Sequence, residues 1–509
     1  SDKTGSVRLD GHAASLELPN VFADPKLELE ALAADISWTG GAKGLLVNMQ
    51  KISFHNKDAA GEASGSWRPL GEGPGQLDLD ARFSRGSGTA VWRYMPLVVG
   101  KNVRDWLQAG IKSGNASDVT LKLHGDLSKF PYRGGAGGVF EVRGKFKDAA
   151  LRYAGSWPEI NAINGELLFA GERMLITVNS GKILGVTLKA VSAEIADLQQ
   201  HNNLLTVTGK AAGPTAEFLR FIEASPVGER IDHFTEEMRA EGSGELDLKL
   251  QLPLYQLPDS KVDGNYRFDG NRLIVDKDLP PLTDVRGGLK FSSNHLQASG
   301  IRGSLLEMPL SVDVKTAGDG SVQVSASGEV VIATLRRRFP HPIFDHLSGG
   351  AKWSSTVRAR KNSAEVKLNS NLLGISSSLP APFNKSATEP MAFSFERKPQ
   401  PVAATLIANA PRAGARGEAT KEAIPGKRVA PPDMLELNLG SSVRLQLHRR
   451  HDSVPAPITR GTLALGDVRL PMPERELAIA VNLPNVDADF WRKLLASPTK
   501  GAEQDKTQF

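Results

Sequence analysis

The sequence has no cysteine. That excludes disulfides, thiolate metal sites and a cysteine nucleophile, while leaving the compartment open. No stretch approaches the roughly 18 uninterrupted apolar residues of a membrane-spanning helix. Charge of one sign is also lacking: 62 Lys and Arg against 57 Asp and Glu leave a net +5 over 509 residues, which calls for no nucleic-acid partner. Aromatic residues make up only 6%, yet the hydrophobic fraction of 40% is too high for a disordered chain. The chain starts at Ser1 with no signal-like apolar region. It therefore reads as part of something longer, with any anchor or signal lying upstream.

Signatures of chemistry are missing as well. The ten His residues are scattered, with no His-Glu-x-x-His, no Cys/His cluster and no calcium loop. His341 and His346 flank Asp345, and His448 lies near His451; ordinary, partly exposed histidines account for both pairs. No Gly-x-Ser-x-Gly elbow occurs. Lys3-Thr-Gly5 and Ser497-Pro-Thr-Lys500 resemble β-lactamase fragments but stand in the wrong order. Gly134–Gly138 is glycine-rich, but it precedes a strand and lacks the Lys-Ser/Thr pair of a phosphate loop. No catalytic residue, metal site or cofactor is expected, and the chain reads as a non-enzyme.

What is present is period-two alternation. Leu246, Leu248, Leu250 and Leu252 fall on one face, with Glu245, Asp247, Lys249 and Gln251 on the other, as in a half-buried strand. The same grammar places Val119, Leu121 and Leu123 opposite Thr120 and Lys122. Phe140, Val142 and Phe146 oppose Glu141, Arg143 and Lys145. Val312 and Val314 oppose Asp313, Val322 and Val324 oppose Gln323, and Val366 and Leu368 oppose Lys367. Phe393 and Phe395 oppose Ser394 and Glu396. Leu435, Leu437 and Leu439 lead through Gly440-Ser-Ser into Val443, Leu445 and Leu447. Gly, Asn and Asp punctuate these runs at hairpin spacing, and one wet face per strand argues for antiparallel pairing.

Helices are few and short. Amphipathic segments are predicted near 102–112 and 214–224, the second opening with Pro214. A third, near 333–347, is split by Pro340 and Pro342, and a last one over 487–496 is capped by Asp487. Arg336-Arg337-Arg338 is the densest basic run; it reads as a solvated helix face or as a contact with acidic lipid headgroups. Residues 399–433 are rich in Pro and Ala without a period and read as a flexible insertion. Residues 497–509 read as a disordered tail. The organisation expected is a β-body over 1–398, the insertion, and a continuation over 434–496. No fixed repeat is present.

Several stretches resemble one family. Arg93-Tyr-Met-Pro96, Arg104-Asp-Trp-Leu107, Gly125-Asp-Leu-Ser-Lys-Phe-Pro131, Trp157-Pro158, Ser225-Pro226 and Ser370-Asn-Leu-Leu-Gly374 running into Leu379-Pro-Ala-Pro-Phe-Asn-Lys385 are similar to the YhdP family of AsmA-like proteins of Gram-negative bacteria. The Leu-Pro-Ala-Pro element is the most specific of these. The resemblance implies a long periplasmic β-body carried by an inner-membrane helix absent here, acting in phospholipid movement towards the outer membrane. This chain would be the later part of that body. The insertion departs from the regular strand pattern. The resemblance implies no active site.

The fold class expected is mainly β: a long, curled antiparallel sheet forming an open hydrophobic groove of AsmA/TamB-like kind, with a few short amphipathic helices. At about 14 residues per strand and turn, roughly 25–28 strands remain, which at about 4.8 Å each would extend on the order of 120–135 Å. Exposing the roughly 30 methylenes of a two-chain lipid to water costs on the order of 25 kcal/mol, and an apolar groove would remove most of that cost. The groove lining is predicted to be Leu121, Leu123, Phe140, Val142, Phe146, Leu246, Leu248, Leu250, Leu252, Val312, Val314, Val322, Val324, Val366, Leu368, Phe393, Phe395, Leu445 and Leu447. The partners expected are phospholipids, the inner membrane through an upstream anchor, and the outer membrane or envelope proteins at the distal end. The alternative is a structural scaffold whose apolar faces are all buried within the protein.

Overall fold

The computed structural model describes residues 3–41, 44–231, 233–275, 279–360, 363–400, 432–450 and 456–496. The insertion proposed for 399–433 lies almost wholly outside the described residues, and the tail over 497–509 entirely so. The described residues form 25 strands with five short α-helices and a few one-turn 3-10 segments. They divide into two units: residues 1–236, 241–267 and 291–293, and residues 237–240, 268–290 and 294–509.

The first unit begins with five strands: β1 (Lys3–Glu17), β2 (Lys26–Gly41), β3 (Gly44–His55), β4 (Ala59–Arg68) and β5 (Gln76–Ser87). A 3-10 turn at Gly88–Tyr94 and α1 (Lys101–Gly110) lead to β6 (Ile111–Asp126). Then follow β7 (Gly138–Leu151), β8 (Ile160–Ala170), β9 (Arg173–Ile183), β10 (Val186–Ile195) and β11 (Leu204–Pro214). After α2 (Thr215–Glu223) and α3 (Pro226–Arg230) comes β12 (Arg239–Pro253). Each of these strands pairs antiparallel with the next, from β1 to β12. Eleven strand spacings of about 4.8 Å give this ladder a run on the order of 50 Å. The ladder is an open one: β1 pairs only with β2 among the described residues.

The helices of this unit interrupt connections on one strand-end edge. An aromatic chain links them there. Trp106 of α1 donates to the Tyr153 carbonyl at 3.1 Å. Tyr153 meets Trp157 at 6.0 Å, and Trp157 meets Phe221 of α2 at 5.9 Å. Burial of Tyr153 pushes its phenol up to about 12, so it stays neutral across any physiological pH.

The second unit shares β13 (Lys261–Ile274) and β14 (Leu282–Ser292) with the first. It continues with β15 (Leu296–Leu305), β16 (Met308–Thr316), β17 (Val322–Val331), α4 (Ile332–Arg338) and β18 (Leu347–Arg360). Next are β19 (Ser363–Ser370), β20 (Ile375–Ser377), β21 (Phe393–Pro399), β22 (Asp433–Leu439) and β23 (Val443–Arg449). The unit ends with β24 (Ile458–Gly466), β25 (Glu476–Asn482) and α5 (Ala488–Ala496). From β15 to β19, and on through β21 to β24, the pairing is antiparallel. Gly440, at φ 56°, supplies the left-handed residue of the β22–β23 turn. The antiparallel expectation fails at β24 and β25, which run parallel. Residues 467–475, with prolines at 471 and 473, carry the chain back along the sheet to allow it.

Buried apolar residues are sparse. The buried clusters among the described residues are Val285, Ala298 and Ile301, and Ile332, Ala351 and Ile375.

Candidate functional site: an apolar sheet face

Directly opposed residues on neighbouring strands share a face, so the register can be followed from strand to strand. In the first unit Leu9 opposes Ala34, which opposes Ile52, then Ala63, Ala81 and Leu121. Leu121 opposes Val142, and the row continues through Phe169, Met174, Ile195, Leu205 and Leu252. Twelve strands thus contribute one apolar residue each, without a polar break. A parallel row joins Leu79, Leu123 and Phe140. Others join Phe146 to Gly165 and Val178, and Leu167 through Ile176, Ala193 and Val207 to Leu250. Leu246 and Leu248 oppose Ala211 and Gly209.

The opposite face carries charge. Arg8 pairs with Asp35 at 2.8 Å and Lys210 with Asp247 at 2.8 Å. These are cross-strand partners in the register, on the face away from Leu9 and Leu248.

In the second unit the face is assembled in the same way. Val314 opposes Val324, then Val357 and Val366. Val312 opposes Ala326, and Leu368 leads through Phe395 and Leu437 to Leu445 and Leu463. Phe393 opposes Leu439, Leu447 opposes Leu435, and Val322 opposes Thr316. Every predicted lining residue in both units is half-buried; none is fully buried and none fully exposed.

Two features bound this second face. At one strand end, α4, the 3-10 turn at Pro342–His346 and the segment at Leu372–Ile375 pack on Ala351, which is 2% exposed and follows the parity of Trp353 and Val357. Lys385, the last residue of the Leu-Pro-Ala-Pro element, holds that covering segment. Its buried ammonium donates to the carbonyls of Leu372 and Ser386, both at 3.0 Å, and to that of Ile375, while desolvation lowers its pKa.

At the other end a charged cluster lies on the apolar side. Arg397 occupies the row between Val366 and Leu435, and Asp433 and Arg449 are partners one alternate position further on. Asp433 accepts from Arg397 Nε at 2.8 Å and from Arg449 Nε at 3.0 Å. Its side chain is only 3% exposed. Sequence reading missed this cluster. The signal was available in parity: Arg397 continues Phe393 and Phe395, and Asp433 precedes Leu435 and Leu437.

The histidine pairs are not brought together as sites. His341 accepts from the Ile343 backbone N–H, and His346 faces Ser378 and Phe490. Burial lowers the pKa of His448, and His451 lies outside the described residues. Among the described residues no group of three His, Asp or Glu is arranged for a metal. Nor is any described helix long and apolar enough to cross a membrane.

The family profile described as YhdP protein matches residues 1–509. The chain belongs to the YhdP family. It is 28% identical over 409 residues to the intermembrane phospholipid transporter YhdP of Escherichia coli strain K12, an alignment covering 77% of this chain and 31% of that relative. The chain thus spans about a third of the length of the curated relative it matches. Within this YhdP-family chain, the apolar face that each unit builds, backed by charge in the first, is the feature that a lipid-handling role would use.

Proposed function

We propose that this chain is a lipid-conducting segment of a longer envelope protein, carrying phospholipid acyl chains along its apolar sheet face between the inner and outer membranes. It acts in the periplasm, without a catalytic step or cofactor, and a membrane anchor belongs to another part of the protein. The observation that carries this reading is the twelve-strand row from Leu9 to Leu252, apolar at every position and half-buried where the lining was predicted. A relative named as an intermembrane phospholipid transporter supports it.

The physics follows from the face. Leu246 to Leu252 extends about 20 Å along β12, comparable with the roughly 15 Å that one leaflet's acyl chains span. Chains lying on such a face would keep their methylenes from water, at about 0.8 kcal/mol each, while the headgroup stays wet at a strand-end edge. Leu, Val and Phe offer no directional bonds, so cargo can slide. Bulges such as the one between Lys189 and Ser192 increase the local twist of the strand. The scaffold alternative requires fully buried lining residues, and the half-exposure of Leu121, Leu250 and Phe395 counts against it.

The test is site-specific photocrosslinking in the full-length protein. Probes at Leu250 and Val312 are expected to capture lipid, and probes at Lys249 and Asp313 are not. Equal capture from both faces would overturn the proposal.

A further inference from the structure

We propose a phosphodiester-binding cleft at the edge of the second unit's apolar face, formed where α4 leaves the sheet. This rests on the lipid-conducting reading and names where a headgroup is held. A cleft of about 310 Å³ opens there, with Ile332 and Leu347 supplying apolar surface, Arg336 and Arg337 supplying cations, and Ser348 and Gly349 completing it. That volume is at the small end of ligand sites, which run from about 300 to 1,000 Å³. It suits a headgroup and excludes a pair of acyl chains.

The two kinds of lining meet at the place where such a lipid needs them. Ile332 and Leu347 belong to the cluster around Ala351, on the parity of the apolar face. A lipid whose chains lie along the strands would bring its phosphate to a strand end, beside α4. Both guanidiniums have carboxylate partners: Arg336 meets Asp345, and Arg337 meets Glu307 at 2.8 Å. All four side chains are more than half exposed. Exposed pairs of this kind contribute little, so a phosphodiester, which accepts paired hydrogen bonds from a planar guanidinium, can take the place of the carboxylates. Arg338 follows directly in sequence but does not line the cleft, which provides an internal control of equal charge.

The full chain is titrated calorimetrically with three probes: glycerophosphoglycerol, monomeric dihexanoyl-phosphatidylglycerol and inorganic phosphate. The Arg336→Gln/Arg337→Gln double variant is expected to lose at least tenfold in affinity for the first two. Arg338→Gln should stay within about twofold of the parent, and Arg336→Lys/Arg337→Lys should recover part of the loss; unchanged thermal unfolding verifies that the variants fold. Parental affinity in the double Gln variant would overturn the cleft. Inorganic phosphate competing as well as glycerophosphoglycerol would overturn its assignment to a headgroup. The two proposals fail separately. Arginine-dependent glycerophosphoglycerol binding without lipid capture at Leu250 would sink conduction alone, and capture at Leu250 with arginine-independent binding would sink the cleft alone.

Discussion

The two units build the same kind of face and end it differently. In the first, the row from Leu9 to Leu252 crosses twelve strands with no polar member. In the second, the row through Val314, Val324, Val357 and Val366 reaches Arg397 before returning to Leu435 and Leu447. There the apolar surface is fenced, by the segment that Lys385 holds at one strand end and by Arg397, Asp433 and Arg449 at the other. An unbroken face gives cargo no reason to stop. On the proposed lipid-conducting reading, the unbroken face would favour passage and the face closed at both strand ends would favour retention.

The sharpest way to break that contrast is to remove the carboxylate from the fence. Asp433→Ala leaves two largely buried guanidiniums, 17% and 18% exposed, without their shared acceptor. Losing one partner of a buried charge set costs about 3–5 kcal/mol. Leu205→Ala in the first unit should cost less than the roughly 2–5 kcal/mol of a fully buried leucine, because Leu205 is half-buried. Urea unfolding of the two variants measures both. A smaller loss for Asp433→Ala than for Leu205→Ala would mean that the cluster does not organise the second unit.

A charge placed on each face sharpens the comparison further. Leu248→Asp puts a carboxylate opposite Gly209 and beside Val191. Lipid capture from a probe at Leu250 is expected to fall about tenfold, the cost of drawing an acyl chain past an unpaired charge. Leu435→Asp faces Arg397 directly, where a cross-strand ion pair can form, and capture from a probe at Leu445 is expected to fall only about twofold. Equal losses would erase the distinction between a face for passage and a face for retention.

Much of this was legible in the sequence wherever alternation had amplitude. β12, with four leucines against charges, and the β22–β23 hairpin, with its glycine turn, follow from pattern alone. The apolar row across β1 to β5 was missed because Ala34, Ala63 and Ala81 carry too little hydrophobic contrast to mark a face. The parallel β24–β25 pair was missed because periodicity gives faces, not partners. The Arg397–Asp433–Arg449 cluster fell between these cases. Parity assigns each residue to the apolar side, but β21 and β22 are separated by a long run of sequence without a period, so periodicity does not pair them, and each residue alone looks like the polar end of a strand.

The smallest expected effect belongs to the wet side of the same strands. Glu396 lies opposite Lys367 on the face away from Phe395 and accepts its ammonium at 2.8 Å, with Lys398 close by. These two cations hold the Glu396 carboxyl below its ordinary value. A depressed folded-state pKa means that the unfolded chain binds the proton first. The stabilisation is therefore complete above the ordinary glutamate range, near 4.3, and is lost as pH falls through the lower folded value. Thermal unfolding of Glu396→Gln should lie slightly below the parent at pH 7 and converge with it on acidification. Lys367 is half exposed, so solvent screens the pair and the gap at pH 7 stays small. A gap as large as that of Asp433→Ala would show that the charged side of the sheet, and not the fence on its apolar side, holds the second unit together.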